Sequence, residues 1–380
     1  MEGLLKYLSP FSPDQSGAVS VLYELGGLLV IIDAGGCAGN VCGFDEPRWF
    51  SGRSAVFSAG LRDMDAILGR DSRMMDKIGD ALKAVEASFI GLIGTPVPSV
   101  IGTDFRALKR MAERRFGLPV IAVDTNGMET YERGQEKAYQ ALLQLLSEAE
   151  KDSSSAAAAL FAGCTEEENE TGILGATPLD LPTLQSPETL KERVERNGGG
   201  RSACYGFGSG FPAWKGASKV RRNLVVSPSG LSAAVKMKED FGIPYECGMK
   251  LESADVFGTA PVRGGSGNIL IVHQQILARN LREVLRDSGY TGRIDTASFF
   301  AASPELTGEN DFYLKDEGEF AALLQNGDYG CLAGDPLFRR VPAGRRIDYV
   351  NLPHFAVSGS LYACGTEEEY FRDFREKLGG

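Results

Sequence analysis

Short apolar runs alternate along the chain with longer segments in which apolar residues recur at helical spacing. In the first third the apolar runs cover residues 28–33, 66–68, 89–94 and 118–124, and we interpret them as buried strands. The helical segments between them cover residues 74–87, 104–116 and 131–146. Strands separated by amphipathic helices are typical of a doubly wound domain with a parallel sheet.

The same alternation restarts twice, after a small-residue stretch at 151–159 and after a glycine-rich stretch at 263–267. Further strands are predicted at residues 172–175, 202–205, 223–227, 268–273, 294–299 and 330–333, and further helices at 187–196, 231–241, 275–288 and 317–325. The sequence therefore predicts an α/β fold of three successive Rossmann-like βαβ domains, with mainly parallel sheets around a central cleft. The expected domains are residues 1–150, 151–262 and 263–380, and the C-terminal segment of the third packs back on the cleft.

Composition and charge exclude several classes of protein. The chain has 380 residues, of which 43% are hydrophobic and 24% charged, as in ordinary globular proteins. Its formal net charge of -11 disfavours nucleic acid as a partner. The longest apolar run, residues 28–34, is too short to cross a bilayer, and residues 1–10 lack a signal-peptide pattern. We expect a cytoplasmic protein that binds neither membranes nor nucleic acid.

The cysteines point to metal chemistry more than to disulfides. Seven cysteines, an odd number, are scattered through a chain without an export signal. Cys37 and Cys42 share one glycine-rich loop at the end of a predicted strand, where Gly36 lets the backbone approach a bulky group. Thiolates are the usual ligands of iron–sulfur clusters, and we predict that both cysteines bind metal. The alternative for Cys42 is a small buried core residue, and Asp33 is a weaker candidate as an oxygen ligand.

Three further motifs lie at predicted strand ends or helix starts of the first domain. They are Asp33-Ala-Gly-Gly-Cys37, Asp65-Ala-Ile-Leu-Gly69-Arg-Asp71, and the segment from Thr95 to Asp104 with the sequence Thr-Pro-Val-Pro-Ser-Val-Ile-Gly-Thr-Asp. Later motifs cover residues 222–228, 241–245, 331–336 and 352–359. In order and spacing, this series resembles subunits of the nitrogenase component 1 family, which contain three α/β domains around a metal site.

The resemblance implies an oxidoreductase that works with partners. A separate ATP-hydrolysing iron protein would pass electrons to an iron–sulfur cluster, expected to be of the 4Fe–4S type, at the interface of a homodimer or heterodimer. The cluster would relay them to a substrate in the interdomain cleft, and the sequence does not identify that substrate. The chain itself should bind no nucleotide, because its glycine-rich stretches lack the Gly-Lys-Ser/Thr ending of a phosphate-binding loop.

The departures from the family pattern concern the metal ligands. Family members give three cysteines to the interfacial cluster, and only Cys37 falls on one of those motifs. In nitrogenase a central-domain cysteine anchors the active-site cofactor, and Ser227 stands near that position. We keep Ser227 as a cofactor-contacting residue and regard dinitrogen reduction with the full cofactor as disfavoured.

Each of the two histidines has a functional and a structural interpretation. His354 lies in the stretch that the resemblance brings to the substrate cavity, where an imidazole could donate a proton as a catalytic group. His273 ends a predicted strand, where doubly wound sheets place ligands, and is a candidate for cofactor binding. A hydrogen-bonded structural role is open for His354 and is favoured for His273.

Two other functions stay open at this point. Some members of the family carry cofactor precursors, so the chain could be an assembly scaffold for a metal cluster. It could also be a ligand-binding relative that kept the fold and lost the metal, because fold alone does not fix function.

Overall fold

A computed structural model of the protein describes residues 5–50, 54–69, 71–164, 168–258, 267–359 and 365–379. Cys364 and most of the glycine-rich stretch at 263–267 lie outside the described residues. Within them every cysteine is a free thiol. No described helix is both long enough and apolar enough to cross a membrane.

The first part of the chain forms a parallel sheet with strand order β2-β1-β3-β4. Its central strands are apolar and buried on both faces, as expected for a parallel sheet covered by helices. The strands are β1 (Leu28–Ile31), β2 (Ala55–Ser58), β3 (Ile90–Ile93) and β4 (Val120–Val123), and the helices are α1 (Asp14–Leu22), α2 (Gly36–Asn40), α3 (Asp63–Leu68), α4 (Asp71–Ala84), α5 (Pro96–Ile101), α6 (Phe105–Phe116) and α7 (Tyr131–Lys151).

The strand predicted at residues 66–68 is wrong, because these residues belong to helix α3. The Asp65 carboxylate accepts a hydrogen bond from the Arg62 backbone N–H, which closes a capping box at the start of the helix. Gly69 then ends the helix in the left-handed conformation, with φ 60°. Three apolar residues are too few to distinguish a strand from one helical turn.

The second part of the chain forms a parallel sheet with the order β6-β5-β7-β8. Its strands are β5 (Thr171–Leu174), β6 (Ser202–Cys204), β7 (Arg222–Val225) and β8 (Tyr245–Cys247). Its helices are α8 (Ala156–Ala162), α9 (Ser186–Arg196), α10 (Pro212–Lys215), α11 (Leu231–Phe241) and α12 (Ser253–Phe257).

The third sheet has five parallel strands in the order β11-β10-β9-β12-β13. The strands are β9 (Ile269–Val272), β10 (Ile294–Ser298), β11 (Asp311–Tyr313), β12 (Cys331–Gly334) and β13 (Asp348–Asn351). The helices are α13 (Gln275–Asp287), α14 (Glu317–Asn326), α15 (Phe355–Ser358), α16 (Glu367–Tyr370) and α17 (Arg372–Leu378). The predicted fold class, α/β with three successive parallel sheets, is confirmed, and the exact domain boundaries stay predictions.

Each sheet has one point at which its strand order reverses, and loops at such switch points carry ligand sites in open α/β sheets. The reversal lies between β1 and β3 in the first sheet, between β5 and β7 in the second, and between β9 and β12 in the third. The predicted site residues follow these strands: Cys37 comes after β1, Ser227 after β7 and His273 after β9.

Helices α1 and α7 cross at backbone contact. A Cβ atom at Gly17 would lie 1.8 Å from the Tyr131 carbonyl oxygen, and one at Gly134 would lie 1.7 Å from the Asp14 carbonyl oxygen. No side chain fits either place. The two glycines therefore set the separation of these helices.

The N-terminal segment before α1 is fixed to the third part of the chain. The Glu317 carboxylate accepts hydrogen bonds from the backbone N–H groups of Tyr7, at 2.9 Å, and Leu8, at 3.0 Å. These hydrogen bonds hold the pKa of Glu317 below its ordinary value against the opposing effect of burial. The first and last thirds of the chain therefore meet at this carboxylate.

Candidate functional site

The two candidate metal ligands lie on one loop at the carboxyl end of β1. Cys37 is in α2, and Cys42 is in the π-helical turn Val41–Asp45 that follows it; both side chains are half-buried. The Asp33 carboxylate accepts hydrogen bonds from the Ala38 N–H at 2.8 Å and the Ser58 hydroxyl at 2.5 Å. Asp33 thus anchors the start of the loop with both of its oxygens.

A second buried carboxylate anchors the end of this loop. Asp45 accepts hydrogen bonds from the hydroxyls of Ser12, at 2.8 Å, and Ser16, at 2.7 Å, and from the Asn40 side chain at 3.1 Å. Burial raises the pKa of Asp45, while the two serine hydroxyls lower it. π-Helical turns inside helices occur often at functional sites, and here the turn sets the position of Cys42.

The outer side of the loop is open and carries an exposed aromatic side chain. A Cβ atom built at Gly35, Gly36, Gly39 or Gly43 would meet no atom within 4 Å in the described structure. On this turn the large apolar side chain of Phe44 is exposed by 54%. An exposed aromatic side chain beside open space is compatible with a protein–protein contact at this turn.

The thiols of the loop are protonated at neutral pH in the isolated chain. Burial, followed by the charges of Glu46 and Asp33, raises the pKa of Cys42 to about 11. Burial and then Asp33 also raise the pKa of Cys37. The described residues contain no group of three or more His, Cys, Asp or Glu side chains placed to hold a metal ion. Cys37 and Cys42 are therefore not joined by further ligands within the described residues.

The other predicted site residues meet in one buried polar network, which we call the junction network: Ser227, Asp180, Tyr131, His354 and His273. The Tyr131 hydroxyl donates to the Asp180 carboxylate at 2.7 Å and lies 3.2 Å from His354 Nε2. The Ser227 hydroxyl lies close enough to Asp180 to lower the pKa of that buried carboxyl. The imidazoles of His354 and His273 stack with centroids 4.1 Å apart. The second and third sheets therefore bring together the three residues named from the sequence.

Burial dominates the charge state of the junction network. Ser227, His273 and His354 are exposed by 0%, 2% and 1%, respectively. Burial lowers the pKa of His273 to about 3 and that of His354 well below its ordinary value, so both imidazoles are neutral. It raises the pKa of Asp180 to about 6 and that of the neighbouring Glu132 to about 7. Neutral and acidic side chains thus fill the junction.

The residues of the junction do not fit the cofactor anchor that the family pattern implies. Ser227 replaces a thiolate with a hydroxyl that is already hydrogen-bonded to the Ser229 hydroxyl at 2.7 Å. His273 Nδ1 accepts the Gln274 N–H at 2.8 Å, and its Nε2 lies 3.2 Å from the Tyr370 hydroxyl. A metal group here would have to displace these hydrogen bonds. The binding and catalytic roles of Ser227, His273 and His354 stay predictions.

Sequence reasoning did not single out Asp180, Tyr131 or Asp335. Asp335 follows β12 and accepts hydrogen bonds from the His354 N–H at 2.9 Å and the Ser358 hydroxyl at 2.7 Å, so it positions His354. Asp335 could have been identified by its position at the end of β12, one of the two strands between which the strand order reverses. Tyr131 begins a helix and Asp180 lies in a loop after β5, where no motif distinguishes them from capping residues.

Residues 16–249 match the family model described as nitrogenase component 1 type oxidoreductase. The chain belongs to this family. Among curated relatives, it is 29% identical over 319 residues to the nitrogenase iron-molybdenum cofactor biosynthesis protein NifE of Clostridium pasteurianum, covering 80% of this chain and 62% of that protein. The protein of the same name from Bradyrhizobium diazoefficiens is 26% identical over 197 residues, covering 50% of this chain and 32% of that protein.

Solved structures agree with the assignment to the nitrogenase component 1 family at the level of fold. A structure titled "Nitrogenase Cp1 at pH 6.5" superposes with a TM-score of 0.71 at 11% identity, covering 99% of this chain and 93% of that one. A second, "Nitrogenase Cp1 at pH 5", gives 0.69 at 14% identity, with 100% and 89% coverage. The chain spans from about a third to about three-fifths of the length of the curated relatives.

Proposed function

We propose that this chain is a subunit of a nitrogenase-like reductase that holds an iron–sulfur cluster, of the 4Fe–4S type, together with a second subunit. Electrons would come from an ATP-hydrolysing iron protein. The observation that carries the proposal is the cysteine loop: two thiols on a firmly anchored turn that faces open space and carries the exposed Phe44. When bound, the cluster supplies single-electron redox chemistry.

The chain's own residues would hold the two thiols in position and supply half of the ligands of the cluster. Asp33 and Asp45 hold the two ends of the loop, so Cys37 and Cys42 are presented without an entropic cost of ordering. Two thiols are too few for a four-iron cluster, and a two-fold dimer would supply four. A heterodimer with a related subunit would serve the same chemistry.

Reduction of a substrate in the interdomain cleft is the finer part of the proposal. It would use His354 to transfer a proton, the neutral imidazole acting as a relay between its two nitrogens, with the Tyr131 hydroxyl 3.2 Å from Nε2. Asp335 would hold the backbone of His354 in place. Because these groups are buried and bonded to one another, entry of a substrate requires the junction to open.

A second candidate function is assembly of a metal cofactor on a scaffold. It is favoured by the two relatives that are named as cofactor biosynthesis proteins and by the hydroxyl at position 227. Anaerobic incubation with the ATP-driven partner separates the candidates. Electron-dependent product formation supports the reductase, whereas transfer of a metal cluster to an acceptor protein without product formation supports the scaffold.

The cluster itself is tested by anaerobic purification of the native chain and the variants Cys37→Ala and Cys42→Ala. We expect bound iron and sulfide, visible absorption and a dimeric mass for the native chain, and loss of most iron and colour in each variant. Cys247→Ala is the matched control, because Cys247 is also a half-buried free thiol but lies in the second sheet. Full iron content in Cys37→Ala would overturn the proposed ligation.

A further inference from the structure

A groove runs along the open edge of the first sheet, away from the cysteine loop. It has a volume of about 550 Å³, with β4 as its floor and helices α6 and α7 as its walls. We call it the edge groove; Arg106, Lys109 and Arg110 line one wall, and Ala141, Leu145 and Glu148 line the other. Its volume is within the range of about 300 to 1,000 Å³ that is typical of ligand sites.

The floor of the edge groove offers main-chain hydrogen-bonding groups. The carbonyls of Pro119 and Val123 accept hydrogen bonds from the neighbouring strand β3, so the alternation of the strand turns the polar groups of Val120 and Ala122 toward the groove. The Lys109 ammonium group binds the outward carbonyl of Val120 at 2.8 Å. Within the described residues, no group outside the sheet hydrogen-bonds the N–H or C=O of Ala122, so both are available to an incoming strand.

The wall formed by α6 is strongly basic in an acidic protein. Helix α6 carries Arg106, Lys109, Arg110, Arg114 and Arg115 against a single acid, Glu113, whereas the whole chain has a net charge of -11. Lys109 pairs with Glu113 at 3.1 Å and Arg115 with Asp76 at 2.6 Å. Arg106 and Arg110 are exposed and form no ion pair with any residue that the structure describes.

The opposite wall, formed by α7, is apolar at its centre. Ala141 and Leu145 line it, with Glu148 nearer one end. Because side chains of a strand alternate between the two faces of its sheet, a strand added beside β4 would turn every second side chain toward α6 and the others toward α7. Acidic residues complement the first wall, and apolar residues complement the second.

We propose that the edge groove binds an extended segment of a partner polypeptide in which acidic and apolar residues alternate, added as a further strand beside β4. Main-chain hydrogen bonds at Ala122 give affinity, and the arginines of α6 select acidic side chains, as in other cases of strand addition. This inference does not depend on the proposed cluster. It assigns the chain a docking surface that is separate from the cysteine loop.

The probe is a fluorescein-labelled peptide of four Glu-Val repeats, titrated with the full-length protein and followed by fluorescence anisotropy. We expect saturable binding that weakens with added salt, and no binding of a Lys-Val peptide of the same length. The double variant Arg106→Glu, Arg110→Glu should weaken binding by at least about tenfold. Arg114→Glu is the matched control, because this exposed arginine of the same helix does not line the groove.

A backbone variant separates strand addition from simple attraction of anions. Ala122→Pro removes the outward N–H, and proline is tolerated on edge strands, so binding should weaken about five- to tenfold while the far-ultraviolet circular dichroism stays native. Lack of saturable binding would overturn the proposal. Equal binding by the Ala122→Pro variant, or full displacement of the peptide by millimolar inorganic phosphate, would show that the groove recognises anions only.

Discussion

At the scale of single residues, the junction network combines groups that are separated widely in sequence. Tyr131 and His354 are 223 positions apart and meet at 3.2 Å. The sequence indicated Ser227, His273 and His354, because strand ends and family motifs mark them. It could not indicate their partners, because a hydrogen bond across domains depends on how the sheets pack and leaves no local pattern. The placement of Cys37 and Cys42 on one loop could be inferred from the sequence, since the two residues are only five positions apart.

Glu132, next to Tyr131, provides a test of this network. Its carboxylate is exposed by 1% and accepts the Ala301 N–H at 2.8 Å, and burial raises its pKa to about 7. The folded state therefore keeps a proton that the unfolded chain releases near its ordinary pKa. The resulting stability is complete at low pH and is lost as the pH rises through about 7.

Glu132→Gln removes this dependence, because a neutral amide still offers an oxygen to the Ala301 N–H. Between pH 5 and pH 8 we expect the native protein to lose about 1 to 3 kcal/mol more unfolding free energy than the variant. Urea unfolding at both pH values measures the difference. If the unfolding free energies of the native protein and the variant changed by the same amount between pH 5 and pH 8, Glu132 would not hold its proton in the folded state.

At the scale of elements, the predicted helices and central strands agree with the structure, and the missed strands share one property. They are β2, β8, β11 and β13, which all lie at sheet edges and are only partly buried. A strand buried on both faces shows a continuous apolar run, whereas an edge strand does not. The sequence therefore indicated the centre of each sheet better than its margins.

The crossing of α1 and α7 makes a prediction at this scale. In Gly134→Ala the new Cβ atom would lie 1.7 Å from the Asp14 carbonyl oxygen, so one helix must move. Alanine favours a helix by about 1 kcal/mol over glycine, but the clash with backbone outweighs this, and we expect a loss of about 3 kcal/mol or more.

Gly79→Ala is the control for this experiment, because it lies within helix α4 and its Cβ atom would meet only the ring of Phe116, at 3.3 Å. We expect a change within about 1 kcal/mol there. Thermal or urea unfolding of both variants gives the comparison. If Gly134→Ala were as stable as the native chain, the close crossing of the two helices would be incorrect.

At the scale of the whole molecule, buried charge joins the first and second sheets. The Arg48 guanidinium, exposed by 4%, pairs with Glu46 at 2.7 Å and Glu24 at 3.1 Å. It also donates to the carbonyl of Gly206, near the end of β6, at 3.1 Å. Such an arrangement cannot be inferred from composition, since most arginines of a chain are solvated.

Removing this guanidinium leaves two carboxylates without their partner. We expect Arg48→Ala to lower the unfolding free energy by about 3 to 5 kcal/mol, the usual cost of breaking a buried ion pair. Arg345→Ala, which breaks an exposed pair with Asp328, should cost no more than about 1 kcal/mol. Urea unfolding measures both, and similar losses in the two variants would contradict a structural role for Arg48.

The attachment of the N-terminal segment to Glu317 has a consequence for the order of synthesis on the ribosome. Tyr7 precedes its partner by 310 residues, so this contact cannot form until most of the polypeptide has been translated. Translation adds about 5 to 20 residues per second, so the segment stays without this contact for on the order of tens of seconds. In nascent chains that do not yet include α14, the segment would remain undocked. It would then be accessible to a chaperone or a protease.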